Sequence, residues 1–230
     1  MKTIGLLGGM SWESTVTYYQ VINETIMKEL GGFHSAKCII FSVDFDEIEK
    51  CQSSGQWEKS GDILSEAAQK LEKAGADLIV ICANTMHKVA DQIQSNISIP
   101  LIHIAKVTCD EILDNKINRI ALLGTKYTME QDFYKKILID KGLDVMIPDA
   151  EDRAYINNAL YTELGLGIIK EETKNRFLEI MDKLVEQGAQ GVILGCTEIG
   201  LLINQNDTKT PLFDTTLIHA KTAAMYSIKE

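Results

Sequence analysis

No apolar run in this 230-residue chain approaches the roughly 18 residues of a membrane-spanning helix. The Met1-Lys2-Thr3 start leads straight into a strand-like Ile4-Gly5-Leu6-Leu7 with no cleavage pattern, so a cytoplasmic protein is expected. Basic charge is scarce: 23 Lys and Arg against 33 Asp and Glu leave a formal charge of −10. That balance argues against a nucleic-acid partner, which needs a basic face to release counterions, and against an anionic membrane surface. The five cysteines, Cys38, Cys51, Cys82, Cys109 and Cys196, include no C-x-x-C pair. Neither a metal site nor a disulfide framework is supported, and most should be small core hydrophobes. Gly5-Leu6-Leu7-Gly8-Gly9 lacks the G-x-G-x-x-G spacing, and no G-x-x-x-x-G-K-[ST] loop occurs, which argues against a nucleotide-dependent mechanism.

What is present is an ordinary globular composition, 45% hydrophobic and 24% charged, punctuated as alternating strand and helix. Thr3-Ile4-Gly5-Leu6-Leu7, ending in Gly8-Gly9, suits a buried parallel strand, followed by helical spacing from about Ser11 to Leu30. Cys38 to Val43 reads as a second strand. Gly61 to Lys73 places Ile63, Leu64, Ala67, Ala68 and Leu71 on one helical face closed by Gly75. A strand from Leu78 to Cys82, a helix from about Thr85, and a short strand from Pro100 to Ile104 complete the first half.

The second half repeats this order. Gly75-Ala76-Asp77-Leu78-Ile79-Val80-Ile81-Cys82-Ala83 matches Gly188-Ala189-Gln190-Gly191-Val192-Ile193-Leu194-Gly195-Cys196, setting Ala83 opposite Cys196. Arg119 to Thr125 echoes Thr3 to Gly9, and Thr210 to Asp214 echoes Ile99 to His103, so three strand matches recur in register at offsets of 116, 113 and 111 residues. The expected fold is α/β: two similar doubly wound parallel-sheet halves, 1–115 and 116–230, joined near Asp114 to Asn118 with right-handed crossovers. The segment from about 210 could pack on the first half or stay with the second; the sequence leaves both open.

Ligands of such sheets bind beyond the carboxyl ends of the strands, where helix N-termini present unpaired N–H groups. Four such ends are identified: Gly8-Gly9-Met10-Ser11, Ala83-Asn84-Thr85, Gly124-Thr125-Lys126-Tyr127-Thr128, and Cys196-Thr197-Glu198. Each has a small hydroxyl or amide residue able to cap a helix, and Thr128-Met129-Glu130-Gln131 reads as a capping box. Together they favour an anionic ligand, most simply a carboxylate. Cys196 is the best single catalytic candidate, because a helix start would lower its pKa and raise its thiolate fraction.

Leu6-Leu7-Gly8-Gly9-Met10-Ser11, Asn84-Thr85 before His87, Leu122-Leu123-Gly124-Thr125 followed by Thr128, and Gly195-Cys196-Thr197-Glu198 resemble the signatures of the cofactor-independent aspartate/glutamate racemase family. The resemblance runs through essentially the whole chain and is closest to the bacterial branch of aspartate/glutamate and broader amino-acid racemases. It implies two halves related by pseudo-twofold symmetry with the site in the cleft between them, no pyridoxal phosphate or other cofactor, a small amino-acid substrate, and a homodimer. It also implies proton transfer at Cα by groups on opposite faces. By resemblance, Met10, Gln52, Ala83, Asn84, Thr85, Thr125, Thr128, Glu163, Thr197 and Glu198 match positions that line the family's site. Helix N-termini would take the substrate carboxylate, and Glu163 or Glu198 its ammonium.

The chain departs from the family at one place. The first-half acid/base position, usually cysteine and in some members threonine, is Ala83, which has no transferable proton. Cys82 aligns with Gly195 and should point to the opposite face of an extended strand unless a turn re-aims it. Three functions are therefore open: a racemase in which Cys82, His87 or a bound water stands in for the missing group, a one-thiol enzyme of the decarboxylase kind, and a binder of amino acids or dicarboxylates.

Overall fold

A computed structural model describes residues 1–229, and its strands form two four-stranded, wholly parallel sheets. In the first, β1 (Ile4–Gly8), β2 (Cys38–Ser42), β3 (Leu78–Ile81) and β4 (Leu101–Ile102) lie in the order β2-β1-β3-β4. In the second, β5 (Arg119–Gly124), β6 (Asp144–Met146), β7 (Val192–Gly195) and β8 (Leu212–Asp214) repeat it as β6-β5-β7-β8. The three repeated sequence segments fall on β1 and β5, β3 and β7, and β4 and β8.

The central strands are continuous apolar runs because both of their faces are covered. In the first sheet Ile4, Leu6, Leu78 and Val80 point to one face, where they pack with Tyr18, Ile22 and Ile26 of α1 (Trp12–Leu30). Leu7, Ile79 and Ile81 point to the other, beneath Ile48 of α2 (Phe45–Ser53), Leu64, Ala68 and Leu71 of α3 (Trp57–Lys73), and Ile93 of α4 (Ala90–Ser95). The connection after β1 therefore runs over one face and that after β3 over the other. The strand order reverses between them, and a crevice opens at their carboxyl ends. The second sheet buries Ala121, Leu123, Val192 and Leu194 against α8 (Ala150–Thr162), α9 (Glu171–Glu186) and α10 (Ile199–Leu202), which puts its switch point at the ends of β5 and β7. Its remaining helices are α5 (Ile104–Asp114), α6 (Lys126–Glu130) and α7 (Asp132–Asp140).

Several boundaries differ from the sequence expectation. α3 begins at Trp57 rather than Gly61, since an interior glycine costs a helix only about 1 kcal/mol and the apolar face outweighs it. The helix expected from Thr85 is a 3₁₀ turn, Thr85–Val89, before α4. Of the strand expected over Pro100 to Ile104, only Leu101 and Ile102 pair, and Ile104 already starts α5. The C-terminal helix α11 (Thr215–Ile228) sets Ala220, Ala223 and Ala224 against the α1 face of the first sheet. The chain accordingly divides into one unit of Met1–Ile104 plus the segment from Thr216, and a second of Ala105–Thr215, instead of at a single cut near 115. Among the described residues no helix is long and apolar enough to cross a membrane.

Candidate active site

In the first unit the turn after β1 is set by Gly9. Its φ of +93° suits glycine, and a Cβ there would lie 2.3 Å from the Val43 carbonyl oxygen. The Gly9 N–H donates to Thr15 Oγ1 (2.9 Å), while Ser11 Oγ caps α1 by accepting from Ser14 N (3.4 Å). Ser14 Oγ in turn donates to the Cys82 carbonyl (3.0 Å), tying α1 to the end of β3. Met10 and Ser11 are thereby held buried at the crevice.

Strand alternation separates the two residues at the end of β3. Ala83 packs with Met10 and Met86 on the α3 face, whereas Cys82 is fully buried with Ile4, Leu6, Tyr18 and Ala220 on the α1 face. No turn re-aims the Cys82 thiol: its hydrogen bond is a weak one to the Val80 carbonyl at 3.8 Å, and burial pushes its pKa far above the thiol range. Cys82 is in position to fill the core and not to exchange a proton with a substrate.

His87 is also committed. The Ile104 N–H can only donate, so His87 Nε2 accepts from it (3.1 Å) and Nδ1–H donates to the Ala83 carbonyl (2.8 Å). Burial, and then His103 with its ring centroid 4.7 Å away, hold His87 neutral well below the ordinary histidine range. Both nitrogens fix the turn that presents Asn84 and Thr85, which are buried beside them. Gln52, far from any strand end in sequence, is buried on α2 and donates through Nε2 to Met86 Sδ (3.0 Å). The first unit thus gathers Met10, Gln52, Ala83, Asn84 and Thr85 around the β1 and β3 ends.

In the second unit, β5 and β7 approach too closely for a side chain at Gly195, whose Cβ would lie 2.6 Å from the Leu123 carbonyl oxygen. That approach sets Thr125 and Thr128 beside the β7 end. Thr125 is the cap of α6, its Oγ1 accepting from Thr128 N (3.3 Å), and the two hydroxyls lie 3.2 Å apart. The capping box expected from Thr128 to Gln131 does not form: Thr128 is inside α6, and Gln131 opens α7 without a side-chain cap. Helix α6 begins directly at the end of β5, so the first threonine after the strand takes the capping position.

Cys196 follows β7, half-buried against the second core. Its Sγ–H donates to Glu198 Oε2 (2.9 Å), and Thr197 Oγ1 donates to the same oxygen (2.8 Å). The thiol pKa is raised well above its ordinary value, first by desolvation and then by the Glu198 carboxylate. This reverses the lowering expected from a helix start. Helix α10 is a single turn beginning three residues later, and an acidic group stands between it and the sulfur. The resemblance implies Glu198 as a contact for substrate, whereas in the folded chain it is the hydrogen-bond partner of the thiol. Its place two residues after Cys196 was the available signal.

Glu163 lies at the end of α8, accepting from Lys170 Nζ (2.8 Å) and Thr173 Oγ1; the Lys170 contact first, then Thr173, hold its pKa below the usual carboxylate value. Its partners are therefore at the entry to α9, and an ammonium ion would have to displace Lys170.

The family model for Asp/Glu/hydantoin racemases matches residues 7–223. The broad specificity amino-acid racemase RacX of Bacillus subtilis (strain 168) is 25% identical over 231 aligned positions, 95% of each chain. Among solved structures, one from Yersinia pestis, provisionally described as an Asp/Glu racemase, is 51% identical with a TM-score of 0.93, and both chains are covered completely. An aspartate racemase homologue from Pyrococcus horikoshii OT3 is 37% identical with a TM-score of 0.87, again over the whole of both chains. A model that spans nearly the full sequence, laid over two sheets of one order with the Gly-Cys-Thr-Glu element at a strand end, is sufficient: this chain belongs to the Asp/Glu/hydantoin racemase family, and its relatives are isomerases.

Proposed function

We propose that the protein is an aspartate/glutamate-type amino-acid racemase that needs no cofactor, and that Cys196 is the group that moves the Cα proton. The observation that supports this most is the Cys196–Glu198 hydrogen bond at 2.9 Å, which gives the thiol an adjacent proton acceptor at the crevice end of β7. Glu198 takes the thiol proton and the thiolate removes Cα–H to leave a carbanion. The carbanion regains a proton either from the re-formed Cys196 thiol on the same face or, to give the other enantiomer, from a bound water on the Ala83 side whose hydroxide is neutralised by the proton held on Glu198. Asn84 and Thr85 are the candidate donors for the substrate carboxylate, with Gln52, Thr125, Thr128 and Thr197 as further candidate contacts. The five free cysteines suit a reducing, cytoplasmic setting.

Ala83 favours a second possibility within the same chemistry. With no transferable proton at the β3 end, Cys196 could work alone, as an enzyme that only protonates a carbanion would require. Incubating the protein with L- or D-aspartate and glutamate in D₂O separates the cases. Deuterium at Cα in both enantiomers is the expected result; deuterium in one enantiomer alone indicates a single-thiol reaction. Binding without exchange overturns catalysis at Cα.

The role of Glu198 has its own test. Glu198→Gln keeps an acceptor beside the sulfur but removes the negative charge that opposes ionisation. Alkylation of the Cys196 peptide by iodoacetamide at pH 8 should then accelerate about tenfold, because more of the thiol is ionised. An unchanged rate would show that the carboxylate does not control the thiol.

A further inference from the structure

The duplication continues past the candidate thiol to Gly200 and Asp214. Strand β4 pairs with β3 in the register in which β8 pairs with β7: Ile79 lies opposite Leu101 and Val80 opposite Ile102, while Val192 lies opposite Leu212 and Ile193 opposite Phe213. One residue further, Leu194 lies opposite Asp214. In that register His87 corresponds to Gly200, and His103 to Asp214. In the first unit the two positions meet as rings, with centroids 4.7 Å apart. In the second, one position has no side chain and a carboxylate takes the space. A Cβ on Gly200 would overlap Asp214 Oδ2 and lie 3.2 Å from its Cγ.

Helix α10 has no room to retreat from that contact. Ile199 and Leu202, on either side of Gly200, are buried in the second core with Leu194, and Leu212 of β8 packs against the same cluster. The end of β8 is itself tied down, because Thr215 Oγ1 donates to the Leu194 carbonyl (2.8 Å). The turn after Cys196 runs into the helix without a break: the Ile199 N–H donates to the Cys196 carbonyl (3.1 Å), and the Leu201 N–H to the Glu198 carbonyl (3.2 Å). A displacement at Gly200 therefore reaches the Glu198 backbone. It does so where tolerance is small, since one oxygen, Glu198 Oε2, accepts from both Cys196 Sγ (2.9 Å) and Thr197 Oγ1 (2.8 Å).

We propose that Asp214, seated on Gly200, is a positioning residue that holds Glu198 against the Cys196 thiol. This rests on the reading of Cys196 and Glu198 as the proton-transfer pair, but thiol alkylation tests it without turnover, so a protein inactive toward every amino acid still answers. Gly200→Ala changes no charge. It forces Asp214 or the turn aside, loosens Glu198 from the sulfur, and should accelerate iodoacetamide alkylation of the Cys196 peptide at pH 8 about threefold. Made together with Glu198→Gln, the same substitution should add less than about 1.5-fold, because the charge that opposes ionisation is already gone. Easier access to the sulfur alone would raise the rate equally in both backgrounds. Far-UV circular dichroism checks that each variant is folded; if Gly200→Ala is not, Asp214→Ala opens the same contact from the other side and decides by the same comparison. Cα exchange by Gly200→Ala should show kcat about tenfold lower and KM within about twofold of wild type, since the candidate substrate contacts are untouched. An unchanged alkylation rate, a gain of equal size with and without Glu198, or Cα exchange with its kcat intact overturns the proposal.

Discussion

Cys196→Ser should lower Cα proton exchange by about 10³-fold, within the usual range for removing a positioned acid or base. At about 1.4 kcal/mol per factor of ten, this is about 4 kcal/mol of lost transition-state stabilisation. A serine hydroxyl still reaches Glu198 but is a far weaker acid than a thiol, so the hydrogen bond survives while the proton transfer does not. The loss should be nearly complete because Ala83 supplies no second thiol that could sustain exchange on its own. Cys82→Ala should behave differently. That sulfur is buried on the α1 face among Ile4, Leu6 and Tyr18, so its removal costs packing and leaves the exchange rate per folded molecule within about twofold. Loss of the Cα–H proton signal in D₂O, followed by NMR for both variants, checks the pair. Exchange that survives in Cys196→Ser and disappears in Cys82→Ala would move the chemistry to the other sulfur and sink the assignment.

The fold was legible in the sequence where burial dictates composition. β1, β3, β5 and β7 are covered on both faces, so they read as unbroken apolar runs ending in glycine or small residues, and their repetition gave the two sheets. What lay outside those runs was not legible. The turn at Thr85–Val89 is 3₁₀, and His87 is held in it by its bond back to the Ala83 carbonyl and by the Ile104 N–H from farther along the chain, a tertiary bond that no periodicity reports. Thr125 and Thr128 are chemically alike, and choosing the cap required knowing that β5 runs to Gly124 and α6 begins at Lys126. Gln52 and Glu163 sit on helices rather than strand ends. Spacing could not show that one is buried against Met86 while the other is held by Lys170 and Thr173. For Cys196 the sequence located the thiol correctly at the end of a strand. It missed the sign of the electrostatics, because a carboxylate two residues away can face the sulfur or turn from it, and only the folded turn decides.

Stability should fall steeply between about pH 6.5 and 4.5, and two histidines that take no part in the proposed chemistry are the reason. His219 donates through Nε2 to the Ile102 carbonyl (2.8 Å) and accepts at Nδ1 from the Tyr18 hydroxyl (2.8 Å), binding α11 and α1 to β4. His87 likewise spends both nitrogens on the backbone. Each is fully or nearly fully buried, and protonation would turn an acceptor nitrogen toward a donor. Desolvation first, and then its neighbour His87, push the His219 pKa down to about 3; burial and His103 hold His87 well below its ordinary value. Above about 6.5, folded and unfolded chains are both neutral at these sites, so their full contribution is present. Below it the unfolded chain binds protons that the native state refuses, and each histidine removes about 1.4 kcal/mol per pH unit until its folded pKa is reached. His219, with its folded pKa of about 3, removes about 3 kcal/mol by pH 4.5, and His87 adds a loss of the same sign, together a sizeable part of a domain's stability. The carboxylates with lowered pKa values, Glu66, Glu72, Asp149, Glu163 and Asp207, add their losses mainly below that range. His219→Gln retains a donor for Ile102 and does not titrate. Its urea-derived stability should start about 1 to 2 kcal/mol below wild type at pH 7.5, from the altered Tyr18 contact, and decline with a clearly shallower slope than wild type down to pH 4.5. Equal slopes for the two proteins would show that His219 is not a source of the acid sensitivity.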